Sequence, residues 1–244
     1  MTPETAALLR EWANTYNDPK YFTEDPISFP RLFHGKYLLG ECTLQDVEVA
    51  AVFAAHFAWG RREMIVRDCN RLFEHMNWQP YRYVMEGEYL DNEHSIHRTI
   101  KWCEVARICR GLRSWYESDA SRALTGESSL EGLDVQGMRR LIFSQKEDPK
   151  APCKKIHMMR RWMVRNDGKV DIGIWKHTSP SSLLIPLDVH VYDVALALGL
   201  TSRKSKDITT VREITDSFAD IFPGDPCKGD FALFGYGVTH PKMK

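Results

Sequence analysis

The stretch from Thr43 to Gly60 can be accommodated only as a helix buried on all sides. Val47, Val49, Ala50, Val52, Phe53, Ala54, Ala55, Phe57 and Ala58 leave almost no polar face, and a helix that is apolar nearly all round must be covered on every side. It is too short to cross a bilayer, so the rest of the chain has to wrap it. Thr43 reads as its N-cap, with Asp46 three positions on as a short-armed capping box, and Gly60 ends it. With 244 residues, 43% apolar and 27% charged, the chain has enough material to build that wrapping in the manner of an ordinary globular protein.

Helical periodicity recurs on both sides of this stretch. Leu8, Leu9, Trp12 and Tyr16 place a helix over residues 4–16, and Met64, Ile65, Cys69, Leu72 and Phe73 place another over 62–76. Residues 95–117, 135–143, 154–165 and 207–222 read the same way, and Asp225-Pro226 opens a last helix reaching Gly237. Residues 17–43 carry Asn17-Asp18-Pro19, Asp25-Pro26 and Gly35 and read as irregular, as do the loops 118–134 and 144–153. Only 169–176 alternates, weakly, so a small hairpin there is the one allowance for strand. The expected fold class is all-α.

Charge narrows the function classes little. The net charge is zero, which gives whole-chain support to no nucleic-acid partner. Locally, 139–165 holds nine Arg and Lys against Glu147 and Asp148, a balance of +7. Such a run suits either phosphate binding or a solvated helix face. The six cysteines are scattered without a C-x-x-C pair and read as reduced thiols. With no leader-like N-terminus and no membrane-length window, the expected location is cytoplasmic. His94 and His97, at i and i+3, read as exposed helix histidines rather than metal ligands, and no cofactor motif is present.

Chemistry enters at Ile185-Pro186-Leu187-Asp188-Val189-His190-Val191, which leads into an apolar helix ending at Gly199. Asp188 is placed as an N-cap, where a carboxylate is favoured and points one way. It is either only a cap or a catalytic carboxylate.

Pro186-Leu187-Asp188-Val189-His190 resembles the Pro-Val-Asp-x-His segment of the helix-hairpin-helix DNA glycosylases, whose Asp is the catalytic carboxylate. Upstream, Lys154-Lys155-Ile156-His157 resembles the start of the helix on which the bifunctional members carry a Lys nucleophile. The resemblance implies Lys154 as nucleophile, Lys155 as the alternative, and Asp188 as the carboxylate. Lys155, Arg160 and Arg161 would crowd Lys154 and favour its neutral form. His190, Lys150, Arg61 and Arg62 would contact DNA. The fold so implied is a two-lobed helical one with a central cleft, about 43–150 forming one lobe and 1–42 with 151–244 the other. A Lys154 or Lys155 ammonium would lie near Asp188. Archaeal 8-oxoguanine glycosylases are the closest analogue, and the partner would be damaged duplex DNA. The glycine-rich hairpin of that superfamily is replaced here by Pro149-Lys150-Ala151-Pro152-Cys153. A non-catalytic nucleic-acid binder and an unrelated task on the same fold are the rival implications. Nearly the whole chain also resembles a bacterial family of conserved hypothetical proteins, through Asp25-Pro26, Ala58-Trp59-Gly60, Arg161-Trp162-Met163-Val164-Arg165, Ile185-Pro186-Leu187-Asp188 and Asp230-Phe231-Ala232-Leu233-Phe234-Gly235.

Overall fold

The first helix, α1 (Pro3–Tyr16), is capped by Thr2, whose hydroxyl accepts from Thr5 N at 3.2 Å, with Pro3 at the position where a missing N–H costs nothing. In the computed structural model, which describes residues 1–240, it is followed by ten further α-helices and one two-stranded antiparallel hairpin, the only sheet among those residues. The protein is therefore all-α in class. The chain divides into two compact units: Met1–Tyr21 together with the chain from Pro149 on, and Phe22–Asp148.

The Phe22–Asp148 unit opens with α2 (Ser28–Leu38), inside the segment expected to be irregular. Pro30 is tolerated because it lies in the first turn, where its absent N–H would have had no partner anyway. Phe29 and Phe33 of α2 then pack on Phe73, with ring centroids at 5.2 and 5.5 Å. The apolar stretch is α3 (Leu44–Phe57), and every residue of it is buried. The reciprocal Thr43–Asp46 capping box starts it as expected. Its few polar side chains are what allow full burial. Glu48, 0% exposed, accepts from Tyr116 Oη (3.0 Å), Ser129 Oγ (2.6 Å) and Leu130 N (3.0 Å), while Asp46 Oδ1 accepts from Tyr81 N at 3.0 Å. Buried carboxylates are tolerable only with such donors.

Helices α4 (Arg62–His75) and α5 (Pro80–Glu86) follow. The expected helix over 95–117 then begins late. Residues 95–101 form a hairpin, β1 (Ser95–His97) against β2 (Ile100–Lys101), and α6 is Trp102–Glu117. Ile96 and Ile100 are spaced as on a helix, yet they bury themselves from two strands, reversed through Arg98 at φ 53°. His97 is consequently no surface histidine: Asp68 Oδ2 lies 2.7 Å from its Nδ1 and the Trp59 carbonyl 3.1 Å from its Nε2. The unit ends with α7 (Val135–Gly137), which widens into a π-helical turn over Met138–Ile142.

The other unit returns through α8 (Lys154–Val164), α9 (Val189–Ala197), α10 (Ile208–Ala219) and α11 (Lys228–Thr239). No hairpin forms at 169–176. That segment instead runs back along the end of α8, where Ile172 N and Trp175 N donate to the Trp162 and Met163 carbonyls, both at 2.8 Å. These are carbonyls a helix C-terminus leaves without a partner. Helix α11 packs between α1 and α9. Its contact with α1 passes through Gly235, where a Cβ would stand 2.5 Å from Tyr16 Cβ and run into its ring. Gly235→Ala must push the two helices apart, and chemical denaturation should read a loss of about 1–3 kcal/mol. No measurable loss would mean that α1 does not close on α11 as seen here.

Candidate active site

Leu187 and Pro186 are buried and turn the backbone so that Asp188 emerges as the N-cap of α9, its Oδ1 accepting from Val191 N at 2.9 Å. The expected cap is thus present, on a half-buried carboxylate at a helix N-terminus. Two residues on, His190 lies half-buried against α11, its ring edge-on to Phe234 at 6.4 Å between centroids and its Cβ close to Gly237.

Asp230, Phe234 and Gly237 are spaced i, i+4, i+7 and form one stripe of α11. Since His190 meets the last two, the first turn of α9 lies along this stripe, and Asp188 lies near enough to Asp230 to act on its ionisation. Asp230 is 2% exposed. Its Oδ2 accepts from Arg161 Nη1, while Oδ1 is buried without a hydrogen-bond partner. Burial pushes the Asp230 carboxyl up to about 6; Arg161 opposes that shift and Asp188 adds to it.

Arg161 and Arg165 are one turn apart on α8 and are 4% and 1% exposed. Asp171 sits between them, accepting from Arg161 Nε at 3.3 Å and from Arg165 Nη1. Arg165 also grips Asp225 through Nε (2.7 Å) and Nη2 (2.8 Å), and both guanidiniums lie over the Phe231 ring, at 4.5 and 5.1 Å. Burial alone would lower the Arg165 pKa, but the bonds to Asp225 and Asp171 more than reverse it. The basic run 139–165 is therefore less basic than it reads. Arg161 and Arg165 are neutralised inside the protein, and Arg140 pairs with Glu147. Arg161 accordingly belongs to a compensated network and not to a positive crowd around Lys154.

Lys154 is the first residue of α8 and Lys155 the second, both half-buried. Lys154 and Arg161, seven apart, share a stripe of the helix, about 10.5 Å apart along its axis. The residue before them, Cys153, adopts φ 42°, a left-handed conformation costly for a side chain with a Cβ. Lys150, exposed in the preceding loop, accepts at its carbonyl from Ile208 N at 3.0 Å, which ties that loop to α10. His157, one turn into α8, is 4% exposed with Nε2 lacking a partner, and burial, with Arg160 and Arg212, lowers it to about 4. Arg61 and Arg62 belong to the Phe22–Asp148 unit, Arg61 exposed at the start of α4 and Arg62 3.6 Å from Asp25.

The sequence reading missed Asp230, Asp171 and His157. A signal was there: charges set inside apolar runs, as in Arg161-Trp162-Met163-Val164-Arg165 and Asp230-Phe231-Ala232-Leu233-Phe234, must be buried, and buried charges need counterparts.

Among the described residues, no group of three or more His, Cys, Asp or Glu stands together as a metal site, and none of the six cysteines is in a disulfide. No helix among them is long and apolar enough to cross a membrane. A surface groove of about 450 Å³, lined by Tyr89, Arg110, Arg113 and Glu117, lies in the Phe22–Asp148 unit, and both its arginines are already paired. Neither the curated proteins nor the solved structures yield a match to this chain. A family model described as protein of unknown function, DUF2400, matches residues 25–239, nearly the full length, and the chain belongs to that family.

Proposed function

We propose that this protein is a DNA base-excision enzyme of the glycosylase/lyase kind, with Lys154 as nucleophile and Asp188 as its carboxylate. The observation that carries the reading is the meeting of α8, α9 and α11 near Asp230: the helix-capping Asp188 is near enough to act on its ionisation, and Arg161, on the α8 stripe that begins at Lys154, binds it. The resemblance of Pro186–His190 and of Lys154–His157 to that superfamily supports it independently.

In this reading a damaged nucleotide is flipped out of the duplex. Asp188 takes a proton from the Lys154 ammonium, and the amine attacks the sugar C1′. The bond from C1′ to the base breaks, and the base leaves with that electron pair and acquires a proton. Asp188 passes the proton it took from Lys154 on to the departing base, and its restored negative charge stabilises the positive charge developing on the sugar. Ring opening then gives an imine between Nζ and C1′. Lys155 is the alternative nucleophile. Lys150, His190, Arg61 and Arg62 are the proposed DNA contacts, with His190 on a phosphate and Arg61 and Arg62 on the opposite strand.

Borohydride reduction tests this on DNA carrying an abasic site, since hydride converts the imine to a stable amine. A covalent adduct is expected with the wild type and with Lys155→Ala, and none with folded Lys154→Ala. An adduct lost only in Lys155→Ala would move the nucleophile by one residue. Absence of any adduct, with salt-dependent duplex binding retained, would replace the enzyme by a non-catalytic binder. That outcome is favoured by the loop Pro149–Cys153, which lacks glycine.

A further inference from the structure

Two loops of the unit that holds α8 to α11 meet and gather exposed positive charge. Thr201–Asp207, which leads into α10, reads Thr-Ser-Arg-Lys-Ser-Lys-Asp. The loop before α8 carries Lys150, whose carbonyl accepts from Ile208 N at 3.0 Å, so the end of one loop is bound to the other. Lys150, Lys204, Lys206 and Arg212, one turn into α10, are all exposed. Within Thr201–Arg212 the only carboxylate is Asp207, which caps α10 through Thr210 N (3.1 Å) and holds Arg203 (2.9 Å). The next, Glu213, accepts from Thr201 Oγ1 at 2.9 Å.

A run of lysines in a loop is usually no more than a solvated surface, but the backbone of this one is held in place. Thr201 Oγ1 accepts from Arg203 N at 3.1 Å, and the Arg203 carbonyl accepts from Tyr192 Oη at 2.8 Å. The Ser205 carbonyl accepts from Thr210 Oγ1, and the Lys206 ammonium lies 4.6 Å from the centre of the Tyr192 ring. Order fixed in advance lowers the cost that a binding partner would otherwise meet.

We propose that Thr201–Asp207, with Lys150 and Arg212, is a docking face for the phosphate backbone of duplex DNA. The choice of partner rests on the base-excision reading; the face itself is read from charge and geometry. An anionic membrane fits less well, because Thr201–Asp207 has no apolar side chain to bury among lipids. A single strand needs open aromatic faces on which bases stack, and Tyr192, the ring beside the loop, is buried with Lys206 over it. Ammonium and guanidinium groups would here supply the grip for which Pro149–Cys153, without glycine, lacks the usual nest of backbone amides.

The test is fluorescence anisotropy of a labelled DNA duplex over a range of salt concentrations, for the full chain and for Lys204→Ala, Lys206→Ala and the double variant. Each lost phosphate contact should lower the slope of log affinity against log salt by about 0.9, so the double variant should lose about 1.8 and bind roughly tenfold more weakly per lysine at about 0.1 M salt. The loss should be equal on duplexes of unrelated sequence, since phosphate contacts carry no sequence information. Lys206→Arg keeps the charge and should keep the slope. Lys169→Ala, exposed in the turn after α8, should leave it unchanged. A double variant with the wild-type slope would overturn the proposal, as would an equal loss in Lys169→Ala. Vesicles of equal parts phosphatidylserine and phosphatidylcholine form the competing arm: binding lost there in the double variant, with duplex binding unchanged, would make the loop a membrane contact instead. Borohydride trapping keeps the two readings apart. No adduct, with the slope loss retained, overturns the enzyme and leaves the face standing. An adduct from wild type and double variant alike, at equal affinity, overturns the face and leaves the enzyme. A wild type that binds no duplex at low salt overturns both.

Discussion

Replacing Arg165 by Met is expected to cost the fold about 3–5 kcal/mol, the usual effect of removing one partner from a buried ionic network. Arg165 is 1% exposed and holds Asp171, Asp225 and Asp167 at once. Met roughly fills the volume, so the loss is not that of a cavity. It comes from Asp171, fully buried and already pushed upward by burial, left with Arg161 alone. Against a typical total of about 5–15 kcal/mol, the variant should unfold at much lower urea concentration. Arg165→Lys should recover only part of the loss, since one ammonium cannot reproduce the forked grip on Asp225. Arg140→Ala, which removes an exposed pair with Glu147, should change stability by less than about 1 kcal/mol. Equal midpoints for Arg165→Met and Arg140→Ala would show that the network does not hold this unit together.

Asp188→Asn is expected to leave the fold intact and to lower excision by about 10²–10³-fold or more, as loss of a charge that stabilises a transition state does. Asn caps a helix as well as Asp, so the bond to Val191 N survives. Removing the negative charge beside Asp230 also relieves a repulsion, so stability at neutral pH should hold or rise slightly. Asp188→Ala separates the two roles, because it should lose both turnover and about 1 kcal/mol. Duplex binding should persist in both variants, as a charge of the same sign as phosphate has gone. The measurements are thermal unfolding, duplex affinity and turnover on a panel of damaged bases. Full turnover by Asp188→Asn on any substrate of the wild type would reduce Asp188 to a cap.

The sequence disclosed what depends on neighbours along the chain. Thr43 with Asp46, the helices at 62–75 and 154–164, and the Asp188 cap all follow from spacing and capping chemistry within one or two turns. Where reading failed, a local signal was ambiguous. Ile96 and Ile100 satisfy a helix and a hairpin equally, and Arg98, taking the turn with positive φ, carries no mark of it. Asp25-Pro26 and Gly35 marked 17–43 as irregular, yet Pro26 only precedes α2 and Gly35 is carried within it. The site failed differently. Asp188 was visible as a cap, but Asp230 is 42 residues further on, as counted from the sequence. Only the α9–α11 contact brings their helices together, and no periodicity within either helix announces that. The charge sum over 139–165 likewise could not tell Arg161 and Arg165, sunk among aspartates, from residues left in water.

The closing of α11 on α1 has a consequence for how the protein is made. The Phe22–Asp148 unit is one continuous stretch and can fold while the ribosome is still extending the chain. The other unit cannot, because Trp12 and Tyr16 await Gly235, Tyr236 and Thr239. At about 5–20 residues per second, the apolar side of α1 stays uncovered for roughly 10–45 seconds after it emerges. For that interval the N-terminal helix is a ready substrate for holdase chaperones and for proteases. Premature termination anywhere before α11 should therefore yield a chain with a sound Phe22–Asp148 unit and an unprotected α1 that is open to proteolysis.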